Sequence, residues 1–306
     1  MQHNAHWLQP LREFAETSDL TKTFLALDLD GTALLEDHGK VFISSSVEKG
    51  VKALHELKIP VVINTLRFPL SVINTVGHEW YDMADLPIPT VLLNGSVLGY
   101  IKCDHDQLQY EEIASFPLGR EEIDSTFQGV AQLAKAGIDD LLLFLYSRDW
   151  KEGETLWTPE EEKIPELKEK FVSASRVISG PVERLAEELS RREICMMTLF
   201  VDRPENTLMA YQHSKRSNFF TAAGVNKASG LREIATRLNL PDPTQALGAG
   251  DTSMDTFLSE VGLAVIVGEA KLPFRGVKKT IRVATPLELG ELVLAYAKLL
   301  RAKSSR

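Results

Sequence analysis

A short apolar run that ends in two closely spaced carboxylates constrains the fold of this chain most strongly. The run covers residues 24–27, and Asp28, Asp30 and Gly31 follow it. A continuous apolar segment of this length, bounded by turn-forming residues, is typical of a strand buried on both faces of a parallel sheet. The carboxylates are therefore predicted at the carboxyl end of a buried strand, where α/β proteins bind their ligands.

Helix and strand patterns alternate after this first strand. A capping box at Ser45 and Glu48 opens a helical pattern, which is followed by strand patterns at residues 61–63 and 90–93. The alternation returns after residue 219, with a helix around residues 231–238 and strands at 246–248 and 263–267. This order predicts an α/β fold with a Rossmann-like core and a parallel sheet.

A different pattern separates these two parts of the chain. From residue 96 a hairpin pattern precedes a helix near residues 120–136, and short strands and helices then follow in mixed order up to about residue 201. We therefore predict a core of residues 1–95 and 213–306, with residues 1–20 as an N-terminal extension. Residues 96–212 are predicted to form an inserted α+β cap.

The charge balance and apolar runs exclude two classes of partner. The chain has 43 acidic and 34 basic residues and a net charge of -9, so no broad positive surface is expected and nucleic acid is not a predicted partner. The longest strongly apolar run, residues 141–146, is far shorter than the roughly 20 residues that cross a membrane. The first twenty residues also lack the basic start and apolar segment of a leader, which predicts a cytoplasmic protein without membrane contact.

The two carboxylates after the first strand suit phosphate chemistry. A carboxylate at this edge can attack phosphorus and bind a hard cation, and a second one nearby can protonate a leaving alkoxide and then activate water. Taken alone, the pair Asp30-Gly31 is equally consistent with a simple turn. Other parts of the chain must decide between these interpretations.

Three further segments carry suitable groups. Thr65 ends the second strand and can donate a hydrogen bond to a phosphoryl oxygen, and Lys227 precedes a helix and can neutralise phosphate charge. Asp251 and Asp255 follow a short strand and offer two carboxylates suited to magnesium. Each segment alone also has an ordinary structural explanation: a strand end, a surface lysine and a capped helix start.

Together these segments resemble the four motifs of the haloacid dehalogenase superfamily, which are a DxDGT strand end, a Thr or Ser, a Lys and a GDxxxD loop. All four occur in that order, and their spacing is similar to the Cof-type sugar phosphatases, which insert a large α/β cap between the second and third motifs. The resemblance covers residues 22–295 and includes the segments NGS at 94–96, GVNK at 224–227 and GLAVIVG at 262–268.

The resemblance implies a role for each site residue. Asp28 would be the nucleophile, Asp30 the general acid and base, and Thr65 and Lys227 the phosphoryl-binding residues. Lys227 would also be catalytic. The cofactor would be Mg²⁺, with ligands from two loops: Asp28, Asp30 through its main-chain carbonyl, Asp251 and Asp255. The last of these would support either Lys227 or a water on the metal.

Four positions depart from the family pattern or keep only part of it. Leu66 replaces the glycine of the usual TGR tripeptide, whereas Arg67 keeps its arginine, and both are candidate substrate or phosphate contacts. Met254 replaces an asparagine that can bind the metal or its water, which predicts a modest magnesium affinity. Glu269 replaces a second asparagine, so the substrate pocket is expected to be unusual.

The expected function is hydrolysis of small phosphate monoesters, with sugar phosphates as the substrate class and the cap as the source of specificity. A proton donor such as Asp30 is needed for an alkoxide leaving group and not for a halide, which favours phosphate ester chemistry over dehalogenation. Two alternatives stay open. One is a sugar phosphomutase of the same superfamily, and the other is a binding or regulatory protein that lost activity, which Leu66 and Met254 would suggest.

Overall fold

The computed structural model describes residues 6–38, 40–84, 87–138, 141–201, 211–214 and 217–304. The chain divides into two compact units. The first comprises residues 1–66, 72–113 and 226–306, and the second comprises residues 67–71 and 114–225. The boundaries of the units differ from the predicted ones, as described below.

The elements follow one another along the chain in this order. The first are α1 (Leu8–Thr17), β1 (Leu25–Leu27), β2 (Leu34–Asp37), β3 (Lys40–Ile43), α2 (Ser45–Glu56), β4 (Val61–Asn64), α3 (Pro69–Val72), α4 (His78–Ala84), β5 (Ile88–Leu92), β6 (Val97–Asp104) and β7 (Gln107–Ser115). The next are α5 (Arg120–Lys135), β8 (Leu142–Ser147), β9 (Glu154–Thr158), α6 (Ile164–Lys170), β10 (Ala174–Ser179), α7 (Val182–Ser190), β11 (Ile194–Phe200), β12 (Tyr211–Ser214) and β13 (Ser217–Phe220). The last are α8 (Lys227–Arg237), β14 (Leu247–Gly250), β15 (Leu263–Val267), β16 (Lys279–Val283) and α9 (Pro286–Ser304).

The first unit is built on an eight-stranded sheet with the order β16-β15-β14-β1-β4-β5-β6-β7. Six of these strands, from β16 to β5 in that order, pair in parallel. Strand β1 lies between β14 and β4, because Leu25 pairs with both Leu247 and Val61. All three residues of β1 are buried, as the apolar run predicted. The predicted α/β class with a parallel core sheet is confirmed.

The hairpin of β6 and β7 belongs to the core sheet and not to the insert in which it was predicted. Strand β6 pairs antiparallel with β5, with Leu92 opposite Val97. The chain can reverse there because Asn94 and Gly95 both adopt positive φ, at 57° and 93°. The long segment of the second unit therefore covers residues 114–225, whereas the cap was predicted over residues 96–212.

Helix α2 begins one residue earlier than its predicted cap suggests. The capping side chain is that of Ser44, whose Oγ accepts a hydrogen bond from the Val47 N–H at 3.3 Å, while Ser45 already lies in the helix. Ser44 takes this role because its backbone is extended, as a residue before the first turn must be. The apolar positions Val47, Val51 and Leu54 are buried, as the helical spacing predicted.

The second unit contains a six-stranded sheet with the order β10-β9-β8-β11-β13-β12. Its strands pair antiparallel, except that β9 and β10 are parallel. Alternate residues of β8 serve different clusters: Leu143 and Leu145 pack with residues of α5 and α7, whereas Leu142 and Phe144 pack with Leu167 of α6. This is the predicted α+β composition. No described helix combines the length and the apolar character that a membrane crossing requires.

Candidate active site

The carboxyl ends of three neighbouring strands bring the proposed site residues to one edge of the core sheet. Asp28 follows β1, Thr65 follows β4 and Asp251 follows β14. The parallel register continues past the strand ends, because the Asp28 N–H donates to the Ala249 carbonyl at 3.0 Å. Parallel strands end at a common edge, so residues far apart in sequence become neighbours there.

Lys227 is buried between two carboxylates and is not the surface lysine that its residue type alone would suggest. Its exposure is 2%, and its Nζ lies 2.6 Å from Oδ1 of Asp28 and 2.6 Å from Oδ1 of Asp255. Lys227 and Asp28 are 199 residues apart along the chain. The ammonium group thus joins the first and last of the four sequence motifs.

The first turn of α8 holds Lys227 through an asparagine cap. Asn226 accepts hydrogen bonds at Oδ1 from the N–H groups of Ala228 and Ser229, at 2.9 and 3.0 Å. The hydroxyl of Thr256 accepts a further bond from the Ala228 N–H at 3.1 Å. A Cβ at Gly95 would collide with the Asn226 carbonyl oxygen, so the turn after β5 can approach this cap because it carries a glycine.

Asp255 organises the loop that follows β14. Its side chain is fully buried, and its Oδ2 accepts hydrogen bonds from the N–H groups of Asp251 and Thr252, both at 2.8 Å. Because Oδ1 already accepts from Lys227, both oxygens of Asp255 have protein partners. The loop therefore wraps around this carboxylate and presents Asp251, which is only partly buried.

Thr32 connects the two strand ends on the other side of Asp28. Its hydroxyl lies 3.0 Å from Oδ2 of Asp28 and 3.2 Å from Oδ1 of Asp251. Gly31 has a φ of 73°, and a Cβ there would collide with Oδ2 of Asp251. The glycine therefore supplies both the sharp turn and the space that the second carboxylate occupies.

Three carboxylates form a cluster of the kind that can hold a divalent cation. One oxygen each from Asp28, Asp251 and Asp255 lies within 4.8 Å of the others. Carboxylate oxygens are hard ligands of the kind that magnesium binds. The three carboxylates and the single ammonium of Lys227 also leave two excess negative charges in a largely buried place, which a divalent cation would neutralise. The residues present therefore fit Mg²⁺.

Burial dominates the electrostatics of this cluster. Burial raises the pKa of Asp28 well above its usual value, and although Lys227 opposes this shift, repulsion from Asp255 reinforces it. Burial and repulsion from Asp255 also raise the pKa of Asp251. Burial opposes the charge of Lys227, but attraction to Asp255 and Asp28 outweighs it, so the pKa of the ammonium lies above its ordinary value. Lys227 therefore stays positively charged at neutral pH.

The remaining predicted site residues differ in their burial and in the unit to which they belong. Thr65 is buried, with its N–H bonded to the Val91 carbonyl at 2.9 Å, whereas the side chain of Asp30 is exposed and lies outside the carboxylate group. Leu66 is half-buried. Arg67 belongs to the second unit, where its Nη1 donates to Ser71 Oγ at 3.4 Å.

The other two residues that differ from the family pattern, Met254 and Glu269, differ in their exposure. Met254 is 3% exposed, so its thioether packs inside the first unit, and Glu269 is exposed. Because the thioether of Met254 is buried among the residues of the first unit, the loop can carry an apolar residue at this position.

Sequence reasoning missed two polar residues that contact the site. Thr32 stands within the DxDGT string but received no role, although its spacing from Asp28 was visible. Asn64 also received none, yet its Nδ2 donates to the Lys227 carbonyl oxygen at 3.0 Å. Its signal was a polar residue at the end of an otherwise apolar strand pattern.

Two solved structures with a similar fold are described as phosphatases of the HAD superfamily. The chain is 19% identical to the phosphatase BT1666 of the haloalkanoate (HAD) superfamily from Bacteroides thetaiotaomicron, with a TM-score of 0.67 over 92% of this chain and 97% of that one. It is 20% identical to BT4131, a sugar phosphatase of HAD subclass IIB, with a TM-score of 0.64 over 93% and 99% of the two chains.

A third similar structure is TM0651 from Thermotoga maritima, at 18% identity and a TM-score of 0.63 over 90% of this chain and 96% of that one. The TM-scores of these three structures show a shared fold. No curated protein sequence matches the chain significantly. The sequence profile of the haloacid dehalogenase-like hydrolases matches residues 25–281, and this range contains all four motifs and the residues gathered around Lys227. The resemblance stated from the motifs is therefore confirmed at the level of the family, and the chain belongs to the haloacid dehalogenase-like hydrolase family.

Proposed function

We propose that this protein is a magnesium-dependent phosphatase that hydrolyses small phosphate monoesters, with sugar phosphates as the substrate class, through an aspartyl-phosphate on Asp28. The observation that carries this proposal is the buried ion cluster in which Lys227 lies 2.6 Å from both Asp28 and Asp255. A charged ammonium held beside a nucleophilic carboxylate is suited to bind the phosphoryl group that the carboxylate attacks.

The proposed reaction uses two carboxylates in succession. An oxygen of Asp28 attacks phosphorus and the ester oxygen leaves, while Asp30 donates a proton to that leaving alkoxide. Asp30 then accepts a proton from the water that hydrolyses the aspartyl-phosphate. The exposed side chain of Asp30 supports this role, because a group that exchanges protons with substrate and water must be reachable by both.

Other residues bind the substrate in this proposal. The Thr65 hydroxyl and the Lys227 ammonium bind the phosphoryl oxygens, and Leu66 and Arg67 are proposed to contact the substrate near its phosphate. Asp28, the Asp30 carbonyl and Asp251 would hold Mg²⁺, which, when bound, neutralises charge on the phosphoryl group. We assign Asp255 to orienting Lys227, because both of its oxygens already have partners.

The test is phosphate release from para-nitrophenyl phosphate and a panel of sugar phosphates, with magnesium and after chelation. We expect activity only with the divalent cation, because substrate and aspartyl-phosphate are anions held beside several carboxylates. Full activity after exhaustive chelation would show that the proposed metal dependence is wrong. Conversion of a sugar phosphate to its isomer without phosphate release, dependent on a bisphosphate primer, would identify a mutase instead.

Two variants test the assigned carboxylates. Asp28→Asn should abolish turnover and keep the fold, because an amide cannot form the aspartyl-phosphate. Asp30→Asn is the matched comparison and should slow turnover by about 10²–10⁴-fold, more for alkyl phosphates than for nitrophenyl phosphate, since it removes proton transfer to the leaving group. Turnover at the wild-type rate in Asp28→Asn would mean that another group is the nucleophile.

A further inference from the structure

Asn64 is an amide in a place where the fold alone would favour an apolar side chain. All four residues of β4 are buried, and Asn64 has no exposed surface. Burying an amide costs free energy unless its polar atoms are hydrogen-bonded. The other three residues of this strand, Val61, Val62 and Ile63, are apolar, as a strand in the middle of a parallel sheet requires.

The amide bonds to the main chain of the residue that carries the active-site ammonium. Nδ2 of Asn64 donates to the carbonyl oxygen of Lys227 at 3.0 Å, across 163 residues of sequence. A carbonyl oxygen accepts and never donates, so the side chain must present its nitrogen there, and its orientation is fixed by the contact itself.

The hydrogen bond from Asn64 differs from the other side-chain hydrogen bonds at the start of α8 in the main-chain group that it contacts. Asn226 and Thr256 bind the N–H groups of the residues that follow Lys227, whereas Asn64 binds the carbonyl group of Lys227 itself. The Lys227 side chain is a flexible four-carbon chain. A fixed main-chain end limits the positions that the ammonium can take, and in the observed position it contacts both Asp28 and Asp255.

We propose that Asn64 is a positioning residue for Lys227: its amide ties the first residue of α8 to strand β4, so that the ammonium faces the nucleophile and the bound phosphoryl group. The catalytic meaning of this inference rests on the proposed function, in which Lys227 binds that group. The alternative is a purely structural role, in which the bond only stabilises the packing of α8 on the sheet.

Asn64→Leu separates the two roles, because leucine has the same number and branching of side-chain heavy atoms as asparagine and belongs in a buried strand. Loss of one hydrogen bond should raise the inhibition constant of inorganic phosphate and lower kcat/KM for para-nitrophenyl phosphate by about three- to tenfold each. The change in Tm is measured beside these constants, because leucine is larger than asparagine and strains a fully packed site. The matched control is Val62→Ala on the same face of β4, which should lower Tm while its kinetic constants stay within about twofold.

A spectroscopic measurement detects a change in the position of the Lys227 ammonium and does not depend on enzymatic activity. In protein carrying 15N-lysine, the Nζ resonance of Lys227 is identified by its loss in Lys227→Met. It should shift or broaden in Asn64→Leu and stay unchanged in Val62→Ala. If Asn64→Leu does not fold, Asn64→Thr, which suits a strand but is too short to reach the carbonyl, is measured in the same way.

The outcomes are distinct. Unchanged phosphate inhibition and an unchanged Nζ resonance in the Asn64 variant would overturn the positioning role, whatever its Tm. If the wild-type protein releases no phosphate under any condition, the proposed function fails, and the Nζ resonance alone still decides whether Asn64 positions Lys227.

Discussion

Asp251 and Asp255 lie four residues apart in one loop, but their oxygens have different partners. Asp255 gives one oxygen to Lys227 and the other to two main-chain N–H groups. Asp251 is only partly buried, and its Oδ1 lies 3.2 Å from the Thr32 hydroxyl. From residue type alone, the two aspartates were equivalent candidates for metal binding. Their contacts distinguish them, because both oxygens of Asp255 already have protein partners.

Paired substitutions should reveal this difference. Asp251→Asn should raise the magnesium concentration for half-maximal phosphatase activity by about tenfold or more, because it removes a carboxylate ligand. Asp255→Asn should lower kcat with little change in that concentration, because the amide oxygen still accepts from the loop while Lys227 loses a charged partner. The measurement is a magnesium titration of both variants at saturating substrate. Equal shifts of the midpoint would show that Asp255 is itself a metal ligand.

Within the second unit, strand β9 carries a buried glutamate that accepts a hydrogen bond from strand β8. Glu154 is 5% exposed, and its carboxylate accepts hydrogen bonds from Tyr146 Oη at 2.6 Å and from Ser173 Oγ at 3.0 Å. Burial raises the pKa of Glu154 above its usual value, and the two hydroxyl groups offset this only in part. The sheet therefore holds a carboxyl group whose charged form is disfavoured by its surroundings.

The stability of the protein should depend on pH through Glu154. A carboxyl group whose pKa is higher in the folded than in the unfolded state stabilises the fold below its unfolded pKa of about 4.3, and this contribution is lost as pH rises through the folded pKa. Glu154→Gln removes the ionisation, so we expect its stability relative to wild type to increase from about pH 4 to about pH 7. Urea unfolding at several pH values measures this, and a constant difference would contradict it.

In the first unit, the two ends of the chain pack against each other. The ring of Phe14 in α1 lies 5.9 Å from the ring of Tyr296 in α9, and Trp7 Nε1 donates to Glu288 Oε1 at 2.9 Å. Leu11 and Phe14 are almost completely buried. The predicted N-terminal extension is thus part of the core of the first unit.

Removal of the Phe14 ring should destabilise the whole protein. Phe14→Ala deletes a buried aromatic side chain, for which the expected loss of unfolding free energy is about 3–5 kcal/mol. Gln9→Ala on the exposed face of the same helix is the control and should change stability by less than about 0.5 kcal/mol. Urea denaturation compares the two variants with wild type. A loss in Phe14→Ala no larger than that in Gln9→Ala would contradict the packing role of the ring, because alanine favours a helix more than either original residue does.

The sequence by itself determined the parts of the fold in which neighbouring residues carry the pattern. The apolar run before Asp28, the spacing of Val47, Val51 and Leu54, and the alternation of strands with helices all depend on local periodicity, and the structure confirms them. Helices α1 and α9 and strand β16 were not predicted. Helix α9 is apolar on more than one side, because it packs against both α1 and α2, and this hides the usual helical stripe.

Tertiary structure alone decided what the polar residues do. Nothing near Lys227 in sequence shows that its ammonium is buried between Asp28 and Asp255, and nothing near Asn64 shows that it reaches the Lys227 carbonyl. The physical reason is that the strength of a charge pair or hydrogen bond depends on burial and distance, which elements far apart in the chain set together. The order of motifs therefore identified the family, whereas the folded sheet edge assigned each carboxylate its partner.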